Sequence, residues 1–177
     1  MKAIKIIFTV VCLLSLMACN TNSSKESVRK PPLSSDQLIQ LDKQLLRHES
    51  DQIDRYIRLK GLAMKETPTG LRYVITHHGK GAKALTGRIA IIRYRLTLLD
   101  GKLIASSKQN GLMSFEIGHG GVEKGLEEGI LLLKVGDEAK FILPSHLAFG
   151  LSGDGYKIPP QSPLIYEVDL VKINIKK

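Results

Sequence analysis

Leu164, Tyr166, Val168 and Leu170 alternate with Ile165, Glu167, Asp169 and Val171 in a run that continues to Ile175. A period of two over that length commits the segment to a β-strand with one face buried, and so commits the chain to a sheet. A second long run, Arg88 to Leu99, is rich in β-branched and aromatic residues and is stopped by Asp100-Gly101, a strong turn signal. Shorter strands are expected at Thr69 to Thr76, Lys102 to Ile104, Met113 to Ile117 and Asp137 to Leu143. Gly79, Gly81, Gly118, Gly120, Gly121 and Gly136 supply turns between them. One helical stretch, Val122 to Leu132, falls among these strands. The pattern predicts an α+β fold, mainly antiparallel, whose helix buries one stripe against one sheet face. No internal repeat is visible.

Ahead of this block, Ser34 begins a capping-box pattern with Gln37. Leu38, Leu41 and Leu45 share one helical face, and so, further along, do Ile53 and Ile57. A helical extension is predicted over 35–61, with room for a break near His48 to Ser50 and with Gly61 as its C-cap. Its apolar stripe suits either a second copy of itself, giving a homodimer, or the following domain, and the sequence leaves both open. Residues 67–177 form the domain proper.

The first residues have a different character. Lys2 and Lys5 precede an apolar run from Ile6 to Leu16, too short for a comfortable membrane span and ending in small residues. Residues 1–18 read as a secretion signal, and Leu16-Met17-Ala18-Cys19 resembles the bacterial lipobox. That resemblance implies cleavage before Cys19, acylation of Cys19 and a lipid anchor rather than a span. Residues 19–34, polar and serine-rich up to Pro31-Pro32, read as a flexible tether. Cys12 and Cys19 are the two cysteines, so a mature chain carries no disulfide. The 26 Lys and Arg, less Lys2 and Lys5, leave 24 against 17 Asp and Glu, a formal charge of +7. That charge is dispersed, with no basic stripe interleaved with aromatics, which argues against a nucleic-acid partner.

The usual catalytic inventory is thin. His48, His77, His78, His119 and His146 have no metal-ligand spacing, and no metal or cofactor is expected. The glycines at 118, 120 and 121 lack the context of a phosphate loop, and no nucleophile sits in a recognisable elbow. Gly153-Asp154-Gly155 is calcium-like for three residues and then stops. An enzyme built here must work without nucleophile, base or metal.

Four pieces carry a family resemblance: "YRLTLLDGKLIASS" (94–107), "FEIGHGGVEKGLEEGI" (115–130), "KVGDEAKFILPSHLAFG" (134–150) and "IPPQSPLIYEVDLVKI" (158–173). In order and spacing they resemble the FKBP-type peptidyl-prolyl cis-trans isomerase domain. With the lipobox and the helical extension, the whole resembles lipoprotein isomerases of the Bacteroidetes envelope, including some associated with gliding motility. The resemblance implies a bent antiparallel sheet wrapped around one short helix, with an apolar pocket between them. The pocket positions implied are Tyr94, Phe115, Val122, Glu123, Leu126, Phe149, Ile158 and Tyr166, with Ile104, Ala105 and Met113 at the rim. Several depart from the family pattern. Ile104 replaces an aromatic, Ala105 an aspartate, Met113 an aromatic, Glu123 an aliphatic residue, Leu126 a tryptophan and Phe149 a tyrosine.

The resemblance further implies prolyl isomerisation on proline-containing peptides or unfolded envelope proteins. It places the protein lipid-anchored in a bacterial cell envelope, on the periplasmic side of the outer membrane. The departures leave a second reading, a proline-peptide-binding or scaffold module with little turnover.

Overall fold

A computed structural model of the protein describes residues 34–175. The expected signal peptide, Cys19 and all but the last residue of the 19–34 tether lie outside the described residues.

Helix α1, Ser35–Leu59, is continuous through His48 to Ser50, where the sequence had left room for a break. It ends as Gly61 predicts. Gly61 takes φ +61°, its N–H donates to Arg58 O and Leu62 N–H donates to Ile57 O, which closes the last turn in a Schellman motif.

The strands are β1 (Lys65–Glu66), β2 (Arg72–His77), β3 (Arg88–Leu98), β4 (Leu103–Ser106), β5 (Met113–Glu116), β6 (Glu138–Leu143) and β7 (Leu164–Ile175). They form one sheet in the order β1-β2-β6-β7-β3-β4, with β5 also on β3, and every pairing is antiparallel. One edge of β3 pairs with β7 from Arg88↔Ile175 to Leu98↔Leu164. Its other edge is shared, with Ile89 to Ile92 facing β5 and Arg95 to Thr97 facing β4. Register shifts at Ile91/Ile92, Leu96/Thr97 and Ile75/His77 add local twist. The result is a sheet bent around helix α3, Lys124–Leu131.

The concave face carries the main core. Ala90, Ile92, Tyr94 and Leu96 of β3, Phe141 and Leu143 of β6, and Leu164, Tyr166, Val168 and Leu170 of β7 enclose the buried stripe Leu126 and Ile130 of α3. Glycine permits the close approach of this helix. An added Cβ at Gly125 would sit 2.6 Å from Leu143 Cγ, and one at Gly129 would sit 2.9 Å from the Phe141 ring.

Helix α1 covers part of the opposite face. Ile53 packs on Ile142 and Ile165 in a second apolar cluster, which explains why both alternating positions are buried at the start of β7. Two polar contacts fix it there. The Glu49 carboxylate accepts from the Ser145 N–H and hydroxyl, and the Arg72 guanidinium donates to Ser50 Oγ and pairs with Asp54. Beyond α1 the same face is a charged lattice, in which Arg93 pairs with Asp169, and Lys140 and Arg95 flank Glu167. Burial alone would raise the Glu167 carboxyl, but Lys140 and Arg95 together hold it below its ordinary value.

Candidate functional site

Between the concave sheet and the N-terminus of α3 lies an open cavity of about 420 Å³. Its walls are Tyr94, Leu96, Ala105, Met113, Gly121, Val122, Glu123, Ala148, Phe149 and Tyr166. Seven of the eleven sequence-derived pocket residues therefore meet on one surface: Tyr94, Ala105, Met113, Val122, Glu123, Phe149 and Tyr166. The other four do not line it. Ile104, Phe115, Leu126 and Ile158 lie in the core at 7%, 8%, 0% and 4% exposure. Leu96, Gly121 and Ala148 were not among the pocket positions named from the sequence, where Gly121 stood only as a turn residue. Leu96 was within reach, because it alternates with Tyr94 on β3.

Each wall has a local cause. Tyr94 and Tyr166 face each other from paired strands, with ring centroids 6.3 Å apart and planes tilted by 44°. Asn110 Nδ2 donates to the Tyr94 hydroxyl at 3.3 Å, from a short helix α2, Ser107–Asn110, that follows β4. The Ser107 hydroxyl accepts from the Tyr94 N–H at 2.8 Å, tying that turn to the pocket strand. Glu123 is the N-cap of α3 but makes no side-chain cap. Its carboxylate instead accepts from the Tyr166 hydroxyl, 3.0 Å from each oxygen. Burial, and then the neighbouring Glu123 charge, push the Tyr166 hydroxyl far above its ordinary value, so it remains a neutral donor.

The glycine turn before α3 is held by Glu127, whose Oε1 accepts from the N–H groups of Gly118 and Gly120. Glu128 serves a separate purpose, accepting from the Thr69 hydroxyl.

On another side of the cavity stand Ala148 and Phe149, where the loop that runs on to Ile158 begins. Asp154 Oδ1 accepts from the N–H groups of Tyr156, Lys157 and Ile158 at 2.8, 2.8 and 2.7 Å. Those bonds, that to Ile158 first, hold the Asp154 carboxyl below its ordinary value. The calcium-like triplet is thus a loop brace. Gly153 adopts φ +69° and could not carry a side chain, since an added Cβ would sit 2.2 Å from Ile158 O. Phe149 stands at the mouth with 37% exposure. No cluster of metal-ligating residues occurs among the described residues, nor does any helix there have the length and apolarity to cross a membrane.

Chemically the cavity offers apolar and aromatic walls, one carboxylate and no nucleophile. Among the described residues no group accepts from the backbone N–H of Glu123, which stands on the cavity wall.

The family model for FKBP-type peptidyl-prolyl cis-trans isomerases matches residues 80–171. A probable FKBP-type peptidyl-prolyl cis-trans isomerase FkpA of Neisseria meningitidis serogroup B is 41% identical over 111 residues, 62% of this chain and 40% of that protein. FK506-binding protein 2 of Dictyostelium discoideum is 42% identical over 93 residues, 52% of this chain and 70% of that protein. The crystal structure of FkpA from Escherichia coli superposes with a TM-score of 0.62 at 26% identity, covering 82% of this chain and 76% of the other. The chain thus spans well under half the length of the Neisseria relative.

Proposed function

Since the chain belongs to the family of FKBP-type peptidyl-prolyl cis-trans isomerases, we propose that it catalyses rotation about X–Pro peptide bonds in the cavity between β3, β7 and α3. Amide resonance sets the uncatalysed barrier at about 18–20 kcal/mol. Rotation breaks that resonance and withdraws charge from the carbonyl oxygen. An apolar cavity disfavours the polar planar amide relative to the twisted one, so that the difference in stabilisation lowers the barrier. On this reading Val122, Phe149, Tyr94 and Tyr166 grip the proline ring, and the Glu123 N–H donates to a carbonyl of the bound peptide. No proton is transferred to or from a side chain, in keeping with the absence of a nucleophile. The observation that carries this reading is the convergence of Tyr94, Val122, Glu123, Phe149 and Tyr166, drawn from four separate stretches of chain, on one cavity.

Phe149 lacks the hydroxyl that the family pattern supplies at this position, and Leu126 leaves the cavity without an indole. We therefore expect modest turnover. Proline-limited refolding of a client protein tests the reading. Acceleration by the wild type, and its loss in Phe149→Ala with the fold intact, is the expected result. Binding of proline peptides without acceleration would instead assign a peptide-binding module.

The lipobox at Cys19 supports lipid anchoring in a bacterial envelope, on the periplasmic side of the outer membrane, and a role in folding envelope proteins. Together with α1 it supports placement beside the lipoprotein isomerases of the Bacteroidetes envelope. Membrane fractionation of Cys19→Ser tests the anchor, and a variant still found with membranes would refute it. The exposed Leu38, Ile39, Leu41 and Leu46 on α1 support pairing with a second copy, which sedimentation with and without α1 would test.

A further inference from the structure

The cavity is not uniformly apolar. Leu96, Ala105, Met113, Val122, Ala148 and Phe149 supply carbon surface, and into this surface is set the Glu123 carboxylate. Its position is defined by the Tyr166 hydroxyl, 3.0 Å from both oxygens, on a ring that is 1% exposed. Among the described residues no Lys, Arg or His lies in ion-pair contact with it. The neighbouring cations are engaged elsewhere or turned outward: Lys157 Nζ donates to Ile104 O at 3.4 Å, and Lys124 is exposed. The carboxylate is therefore a fixed negative charge in a concave, partly desolvated site with no partner of opposite sign. Such a charge attracts a cation more strongly than the same group does in open water.

Accepting the isomerase reading, we propose that Glu123 is a specificity-determining residue, held in place by Tyr166, which selects substrates with a basic side chain beside the proline and rejects acidic ones. The sign is diagnostic. The chain carries a formal net charge of +9, and that global field favours acidic peptides in diffusional encounter. Only a local anion at the site reverses the order. The distant field is screened at ordinary ionic strength, whereas a pair formed inside the cavity is screened far less. The peptide-bond contacts remain those of the apolar walls; Glu123 adds discrimination between flanking residues.

The test uses the full chain and three peptides that differ only in the residue before proline: Lys, Leu or Glu. Isomerisation kcat/KM is expected to fall in that order, with Lys exceeding Glu by about tenfold. Glu123→Gln, which keeps size and hydrogen bonding but removes the charge, is expected to bring the Lys:Glu ratio close to one. Tyr166→Phe, which releases the carboxylate, lowers the ratio without abolishing it. Raising salt from about 0.02 M to about 0.5 M leaves Lys ahead of Glu. A wild-type ratio at or below one, or a ratio unchanged by Glu123→Gln, overturns the proposal. Absence of turnover on all three peptides would instead remove the isomerase reading. Binding titrations with the same peptides then decide the charge selection, and a Lys peptide bound no more tightly than the Glu peptide overturns it.

Discussion

Leu126→Trp restores the residue usual for the family and tests whether the base of the cavity has closed around leucine. Leu126 has no exposed surface. An indole adds about six side-chain heavy atoms to that site. The helix cannot make room by moving towards the sheet, because Gly125 and Gly129 already place it where an added Cβ would meet Leu143 at 2.6 Å and Phe141 at 2.9 Å. Moving away would open the same contacts. Overpacking costs typically about 1–3 kcal/mol, and the upper end is expected here, a Tm lower by on the order of 10 °C. The chain has no tryptophan, so the introduced indole is the sole Trp fluorophore. Urea unfolding followed by its emission, beside proline-limited refolding, measures stability, burial and turnover on one variant. Unchanged stability with a buried indole and faster turnover would refute the reasoning. It would mean that open space lies beneath the cavity which Leu126 does not fill.

Tyr166 holds a raised pKa in the folded chain, so its contribution to stability is complete below its ordinary value of 10.0 and is lost as the pH climbs beyond it. Tyr166→Phe is therefore expected to flatten the alkaline limb of the stability–pH curve, read by urea unfolding above about pH 10. Asp154→Ala removes the acceptor of three loop N–H groups and should speed hydrogen exchange at Tyr156, Lys157 and Ile158, with the sheet amides unchanged. In the wild type the same loosening should set in only at acid pH, below the ordinary carboxyl value of 3.8, since the Asp154 pKa is lowered. Glu49→Ala leaves the buried Ser145 N–H and hydroxyl without their acceptor and should cost about 2–3 kcal/mol in unfolding free energy.

The strands other than β1 were legible because their faces differ; β1, the two exposed residues Lys65–Glu66, was not expected, since two residues show no alternation. β7 runs over Leu164–Ile175, the bounds its alternation predicts, since Tyr166, Val168 and Leu170 face the core while Glu167 and Asp169 do not. Helix α3 was legible from its apolar stripe. Helix α2 was not, because Ser107, Lys108, Gln109 and Asn110 are polar throughout and bury nothing, so no period marks them. The cavity was legible only through the family resemblance, which proposed residues for it one by one. What no local pattern could reveal is contact across the chain. The Glu123–Tyr166 bond spans 43 positions and the Glu49–Ser145 bonds span 96. Asp154 read as a fragment of a cation loop because its three acceptor bonds depend on how the next four residues turn.

On the proposed reading one cavity both binds proline-containing peptide and isomerises its X–Pro bond. The most direct measurement is exchange NMR on an X–Pro peptide with a catalytic quantity of the full chain. Cis–trans exchange cross-peaks are expected that appear only with the protein present. Amide shift changes are expected at Val122, Glu123 and Phe149, with loss of both effects in Phe149→Ala when the fold is retained. Exchange that persists when Phe149 is truncated, with shift changes located away from this cavity, would contradict it.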